Sequence, residues 1–185
     1  MLKSLVHRLL GHPTRLTPPP DEEIPRYPPF AKGLPAASVD RILASQSELL
    51  EALRHTLALS DRDYRAILVP VIARYAAFTH LLPASEAHHH LGAGGLFRHG
   101  LEVAHCAALA GEGILFGLGG SPRERKVQEP RWRLAVGLGG LLHDIGKPVS
   151  DLSVVDRAGT SQWNSYLESL TDLAGQNGID RYFLR

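Results

Sequence analysis

The sequence predicts a mainly α-helical domain, and three features of the chain predict it. Apolar residues recur at helical spacing in several long segments between residues 38 and 176. No regular alternation of strands and helices occurs along the chain. The 185 residues are 44% hydrophobic and 21% charged, which is ordinary for a globular protein and enough to bury a core. One short β-hairpin is the only β-structure that we expect.

The composition also excludes several classes of protein. Twenty Lys and Arg against 19 Asp and Glu give a formal net charge of +1, which excludes a strongly basic nucleic-acid coat but not a local basic patch. The single cysteine, Cys106, excludes an intramolecular disulfide framework and a CxxC zinc site. No apolar run approaches the roughly 20 residues that span a bilayer. These features are typical of a cytoplasmic protein.

Two segments precede the predicted domain. Residues 1–12 are expected to contain a short amphipathic helix. Its apolar stripe either contacts a partner or the surface of the inner membrane, as a peripheral anchor, or packs on its own domain. Residues 13–37 form a proline-rich arm, because eight of the 13 prolines lie there and proline disfavours helix and central strand. Tyr27 and Phe30 are expected to hold this arm to the domain.

Residues 38–185 are expected to form the helical domain, and its first half contains three predicted helices. The first runs from Ser38 to about residue 59. The second covers about 60–78, and Pro70 is expected to kink it. A Gly-rich bend then leads into a third helix at about 96–115.

The second half of the domain begins with a predicted basic connector at 121–133, which carries five Arg or Lys against two Glu and therefore a local charge of +3. A fourth helix is expected at about 130–144. The segment 153–163 predicts the short hairpin, with a turn at Ala158-Gly159. A last helix is expected at about 165–176, ended by Asn177-Gly178.

Histidine is the residue that indicates chemistry. The chain has ten histidines, among them the triplet His88-His89-His90, a single His99 and the pair His143-Asp144. Imidazole and carboxylate groups are ligands for divalent metal ions, and a carboxylate beside an apolar helix requires a cation. A single histidine on such a helix is more often structural, and His55, His80 and His105 are interpreted in that way. The combination predicts a metal site.

Two of these segments resemble a known superfamily. LLHDIGKP resembles the second metal motif of the HD phosphohydrolases, and FRHGLEVAH resembles the helix that carries their first metal histidine. The resemblance implies an HD-domain-like helical bundle in which His99, His143 and Asp144 bind a divalent ion, either Mn, Fe, Co, Ni, Zn or Mg. A narrower resemblance extends from about Tyr27 to Arg185. LPASEAHHHLGAGGLFRHGLEVA and WRLAVGLGGLLHDIGKPVSDL are similar to the N-terminal domain of MobH-type, TraI-like conjugative relaxases.

The narrower resemblance implies a metal-dependent phosphodiesterase that nicks or processes DNA at a transfer origin, with DNA and other conjugation proteins as partners. Asp144 and Lys147 are then the candidate catalytic residues, because Lys147 is placed to meet phosphate oxygens. The candidate contacts to the DNA backbone are Arg98, Arg123, Arg125 and Lys126. A solvated lysine and a solvated loop are the alternatives for these basic residues.

The chain departs from the superfamily pattern at the fourth ligand, which should be a later Asp. Four aspartates follow Asp144, but none lies in a segment that matches the closing helix of the superfamily. The alternative is a fourth ligand beyond Arg185. The four residues are Asp151, Asp156, Asp172 and Asp180. His89 and His90 are then candidate additional metal ligands, against a plain surface cluster, and Glu86 and Glu102 are candidates to orient a histidine. Two other functions stay open: an HD hydrolase of a small nucleotide, and a non-catalytic module that binds DNA or a transfer partner.

Overall fold

The computed structural model describes Ile24 and residues 28–85, 89–114 and 119–185. The predicted helix at 1–12 and most of the proline-rich arm, with Tyr27, lie outside the described residues, as do Glu86 and His88. The prediction of a mainly helical fold is confirmed, because helices surround one hydrophobic core and a small three-stranded antiparallel sheet closes it.

The first predicted helix is two helices, which corrects the sequence expectation. Helix α1 (Val39–Ser45) begins at Ser38, whose hydroxyl accepts a hydrogen bond from the N–H of Arg41. Gln46 leaves helical geometry (φ −121°, ψ 25°), and α2 (Ser47–Leu57) starts directly after it. The apolar spacing continues through the break, so periodicity alone did not reveal it.

The second predicted helix is present and contains a change of helical type. Helix α3 (Asp61–Asp63) leads into a π-helical turn (Tyr64–Leu68), and α4 (Val69–Thr79) follows. The N–H of Val69 bonds to the carbonyl of Tyr64, five residues back. Pro70 therefore lies in the first turn of α4, directly after a widened turn, and the described chain stays helical through it.

The predicted basic connector is wrong, because residues 121–133 form the first half of a long helix. Helix α5 (Gly95–Gly111) is followed by α6 (Pro122–Leu142), which includes Pro130. Ser121 begins α6 with a capping box: its hydroxyl accepts from the N–H of Glu124, and the Glu124 carboxylate accepts from the N–H of Ser121. A short helix, α7 (Lys147–Ser150), follows the turn after α6.

A sheet of three strands joins the two ends of the described chain, in the order β1-β3-β2. Strand β1 (Leu34–Pro35) pairs antiparallel with β3 (Arg181–Leu184), and β2 (Val154–Asp156) pairs with the other side of β3. The predicted hairpin is present: β2 is its first arm, Val155 forms a bridge to Gln162, and the N–H groups of Asp156 and Trp163 donate to the carbonyls of Ser161 and Val154. The sequence did not predict β3, whose pairing is set by contacts distant along the chain.

The last helix, α8 (Leu170–Asn177), begins at the Ser169 cap and ends at Gly178, whose left-handed backbone (φ 60°) is the predicted terminator. It starts five residues later than expected, because Ser169 and Asp172 form a capping box at its first turn. No helix among the described residues is long and apolar enough to cross a membrane.

Candidate metal centre

His99 and His143 are brought together by the packing of α5 against α6. This packing is close because Gly140 faces the backbone of α5: a Cβ there would lie 2.9 Å from the Cα of Ala104 and 2.9 Å from the carbonyl oxygen of Val103. Gly100 makes the matching approach from α5, since its Cβ would lie 2.8 Å from the carbonyl oxygen of Leu141. Only a hydrogen at these two positions allows the helices to approach so closely.

Three ligand-type atoms converge at the end of α6. Nε2 of His99 lies 3.4 Å from Oδ2 of Asp144, and Nε2 of His143 lies 3.2 Å from the same oxygen. One atom from each of the three residues lies within 4.8 Å of the others. The side chains are partly exposed, 27% for His99, 36% for His143 and 18% for Asp144, so the group opens to solvent.

The hydrogen bond of His143 suits metal binding. Its Nδ1 lies 2.8 Å from the carbonyl oxygen of Gly140, and a carbonyl only accepts, so Nδ1 carries the proton. When the ring is neutral, its lone pair is therefore on Nε2, the atom that faces Asp144. A protein histidine that binds a metal is commonly oriented in this way through its second nitrogen.

The electrostatics of the centre favour a neutral imidazole and an ionised carboxylate. Partial burial lowers the pKa of His99, and the neighbouring His143 and His90 lower it further. For Asp144, burial opposes ionisation, but the hydrogen bond from Lys147 and the electrostatic effects of His143 and Lys147 outweigh it, so its pKa lies below the usual value. Both protonation states are those that a metal ligand requires.

Lys147 lies at the centre. Its Nζ donates to Oδ2 of Asp144 at 2.6 Å and is 3.4 Å from the carbonyl oxygen of Ala84. The lysine side chain is 39% exposed. Lys147 is therefore not a freely solvated lysine, which was the alternative interpretation of the sequence.

The predicted histidine triplet is divided by the structure. His90 lies beside His99, with ring centroids 5.2 Å apart, and its Nε2 is 3.0 Å from Oε2 of Glu102. His89 is exposed and lies outside the cluster of three ligand atoms. The backbone of His90 is left-handed (φ 62°), which is uncommon for a residue other than glycine. Glu102 contacts His90, as a residue that orients a histidine should.

The other candidate residues lie farther from the centre or have other partners. Arg98 is exposed, and its Nε donates to Oε1 of Glu102 at 2.7 Å. Arg123, Arg125 and Lys126 lie in the first turns of α6, at the end opposite His143.

The four later aspartates do not join the cluster of ligand atoms among the described residues. Asp151 accepts a hydrogen bond from Ser150, and Asp172 belongs to the α8 capping box. Asp156 accepts from the N–H and hydroxyl of Thr160 in the hairpin turn. Asp180 is exposed in the turn before β3.

One residue near the centre was not found from the sequence. The hydroxyl of Tyr75 donates to the carbonyl oxygen of Leu96 at 3.3 Å and lies against Gly100, the neighbour of His99. Burial, and then the negative charge of Asp144, raise the pKa of Tyr75 well above its usual value. A tyrosine at helical spacing looks like any core aromatic, so the sequence carried no signal for this position.

Comparison with known proteins gives one finding. The family model TraI_2, described as "Putative helicase", matches residues 33–185. Comparisons with curated proteins and with solved structures give no match. The matched segment contains every described helix and strand from β1 to β3, together with His99, His143 and Asp144. Because the match covers well over half of the 185 residues, the chain belongs to the TraI_2 family.

Proposed function

We propose that residues 33–185 form a metal-dependent phosphodiesterase domain of the HD type, which belongs to a conjugative relaxase and nicks or processes DNA at a transfer origin. The observation that carries the proposal is the convergence of Nε2 of His99 and Nε2 of His143 on Oδ2 of Asp144. Family membership supports a role in DNA transfer, and the order of the three residues in the chain follows the HD pattern.

The donor set fits a divalent metal ion. Two imidazole nitrogens and one carboxylate oxygen suit Mn, Fe, Co, Ni or Zn, whereas Mg prefers oxygen ligands. Three protein ligands leave coordination positions for water or a phosphate oxygen. A bound ion would supply a water of lowered pKa and polarise a phosphoryl oxygen.

The other residues of the centre are assigned supporting roles. The Gly140 carbonyl fixes the ring of His143, which holds Nε2 toward the site. Lys147 keeps Asp144 ionised, and an ammonium has three donors, so it can hold this carboxylate and still donate to a phosphate oxygen. Glu102 orients His90 at the edge of the centre.

The name of the family refers to a helicase, which is a nucleotide-driven motor. The phosphate-binding motif GxxxxGK[ST] does not occur in the sequence, and the described sheet is small and antiparallel. We therefore propose hydrolysis of a phosphodiester, and not strand unwinding, for residues 33–185.

The first test is the metal content of the purified chain, measured by inductively coupled plasma mass spectrometry. The wild type should retain or rebind divalent metal in stoichiometric amounts, and the double variant His143→Ala/Asp144→Ala should lose it. His55→Ala is the matched control, because His55 is an exposed histidine paired with Glu51 and remote in sequence from the centre. It should keep the metal of the wild type.

A nicking assay then tests the reaction. Supercoiled plasmid with the cognate transfer origin, incubated with Mn, Co, Ni or Mg, should be relaxed by the wild type and not by the double variant. Hydrolysis of nucleotides without nicking would support the small-nucleotide hydrolase instead. Failure of the wild type to bind any metal after reloading would overturn the proposed chemistry and leave a DNA-binding or partner-binding module.

A further inference from the structure

The first half of α6 extends into solvent. Ten of the twelve residues at 122–133 are exposed, and the other two, Arg125 and Arg133, are half-buried. Two apolar side chains are among the exposed ones: Val127 is 55% exposed and Trp132 is 47% exposed. Tryptophan and tyrosine are enriched at binding interfaces.

The charges of this segment are mostly unpaired. Glu124 is occupied by the capping box with Ser121, and Glu129 accepts from Arg133. Four cations have no carboxylate partner among the described residues, namely Arg123, Arg125, Lys126 and Arg131. The segment therefore presents an excess of positive charge, which attracts phosphate groups, and these four cations need not leave a carboxylate to bind them.

Trp132 and the metal centre lie along one face of the same helix. Eleven residues separate Trp132 from His143, and at about 100° per residue this is three turns plus about 20°. His143 keeps helical dihedral angles (φ −57°, ψ −32°), so the relation extends to it. Gly139, exposed and with open space where a Cβ would be, lies between them on this face.

The distance from Trp132 to His143 is similar to the length of a few nucleotides of a DNA strand. A rise of about 1.5 Å per residue places Trp132 about 16 Å from His143 along the helix. That is about five nucleotides at the 3.4 Å spacing of a stacked strand, and fewer in an extended one.

We propose that the α6 surface, defined as Trp132, Arg125 on the same face of the helix, and Lys126 and Arg131 beside it, binds single-stranded DNA and directs it toward His143 and Asp144. The direction of the bound strand, toward His143 and Asp144, rests on the proposed function. Basic side chains alone contact the backbone of single and double strands alike. The indole of Trp132 favours single-stranded over double-stranded DNA, because an unpaired base can stack on an exposed ring, whereas the bases of a duplex are already stacked.

Intrinsic fluorescence gives a direct test, because the chain has two tryptophans and only Trp132 is exposed; Trp163 is 7% exposed. In EDTA, a 20-nucleotide single strand should quench the emission of the wild type, and the duplex of the same sequence should bind more weakly. Because Trp132→Ala lacks the reporting indole, its affinity is measured from the fluorescence anisotropy of a labelled oligonucleotide. The single-strand affinity should fall at least about fivefold, and the duplex affinity should stay unchanged. Trp132→Phe should restore much of the single-strand affinity.

Tyr166→Ala is the matched control, because Tyr166 is an aromatic residue that is 82% exposed in a different segment. It should bind as the wild type does. Equal affinity for single strand and duplex, or unchanged affinity in folded Trp132→Ala, would overturn the inference. The measurement needs no metal, so a chain that binds single strands but does not nick would contradict only the proposed function. A chain that nicks without using Trp132 would contradict only this inference.

Discussion

Nζ of Lys147 lies 2.6 Å from Oδ2 of Asp144, the same oxygen on which Nε2 of His99 and His143 converge. The ammonium thus neutralises the carboxylate that the proposal assigns to a metal ion. Because Lys147 is the first residue of α7 and follows Asp144 by three residues, the turn after α6 fixes this pair locally. A metal ion and the lysine would share one carboxylate.

Replacing this lysine by an uncharged residue is expected to strengthen metal binding. In Lys147→Met, the repulsion between the ammonium and a divalent ion disappears, and Asp144 loses a competing partner. The pKa of Asp144 rises toward its usual value but stays far below 7, so the carboxylate remains an ionised ligand. We expect an increase in Mn affinity of about tenfold, measured by isothermal titration calorimetry at pH 7.5.

Lys147→Arg is the control for charge, and its Mn affinity should stay near that of the wild type. If Lys147 also contacts the scissile phosphate, Lys147→Met should nick more slowly at saturating metal although it binds metal more tightly. Weaker metal binding in Lys147→Met would show instead that the lysine supports the ligand geometry.

Two adjacent glycines of α6 should respond in opposite ways to an added methyl group. Gly140→Ala places a Cβ 2.9 Å from backbone atoms of α5, so the helices must separate. We expect a loss of about 1–3 kcal/mol of unfolding free energy, and weaker metal binding because His99 and His143 move apart. Urea unfolding and metal titration of the same sample measure both.

Gly139→Ala is the matched control. A Cβ there has nothing within 4 Å, and alanine favours a helix over glycine by up to about 1 kcal/mol, so stability should be equal or greater. If the two variants lose the same stability, close packing at Gly140 is not what holds α5 and α6 together.

The sequence located the three clustered residues because their chemistry is carried by residue type. His99, His143 and Asp144 lie in the segments FRHGLEVAH and LLHDIGKP, and the resemblance of these segments to the HD motifs distinguished them from the other histidines. The first half of α6 lacks that signal. It is exposed around its circumference, so no apolar stripe marks it as a helix, and its start depends on the side chains of Ser121 and Glu124.

Contacts distant along the chain explain the other errors. Strand β3 is specified by pairing with β1 and β2, and Tyr182 of β3 pairs with Leu34, almost 150 residues away in sequence. The local β-propensity of a segment does not indicate which distant strand it pairs with. The position of His90 beside His99 likewise depends on a left-handed residue that is not glycine, which no pattern in the triplet indicates.

His80 gives a stability prediction independent of the metal centre. It is 1% exposed, with Nδ1 2.9 Å from the hydroxyl of Tyr182 and Nε2 2.9 Å from the carbonyl oxygen of Ala37. The ring therefore links the end of α4 to β3 and to the segment before α1. Burial outweighs the hydrogen bond to Ala37 and lowers the pKa of His80 from 6.5 to about 4.

The unfolded chain consequently takes up the His80 proton at a higher pH than the folded chain. Its contribution to stability is complete above pH 6.5 and is lost as the pH falls from 6.5 to about 4. At pH 5 the loss of unfolding free energy relative to pH 7.5 should be about 2 kcal/mol, measured by urea unfolding.

His80→Gln is the control variant. It keeps a donor and an acceptor but does not titrate, so its loss of unfolding free energy over this range should be smaller by that amount. The difference between the two proteins is the decisive quantity, because His99 also has a lowered pKa and contributes with the same sign. Parallel pH profiles for the wild type and His80→Gln would mean that the buried ring is not protonated on unfolding.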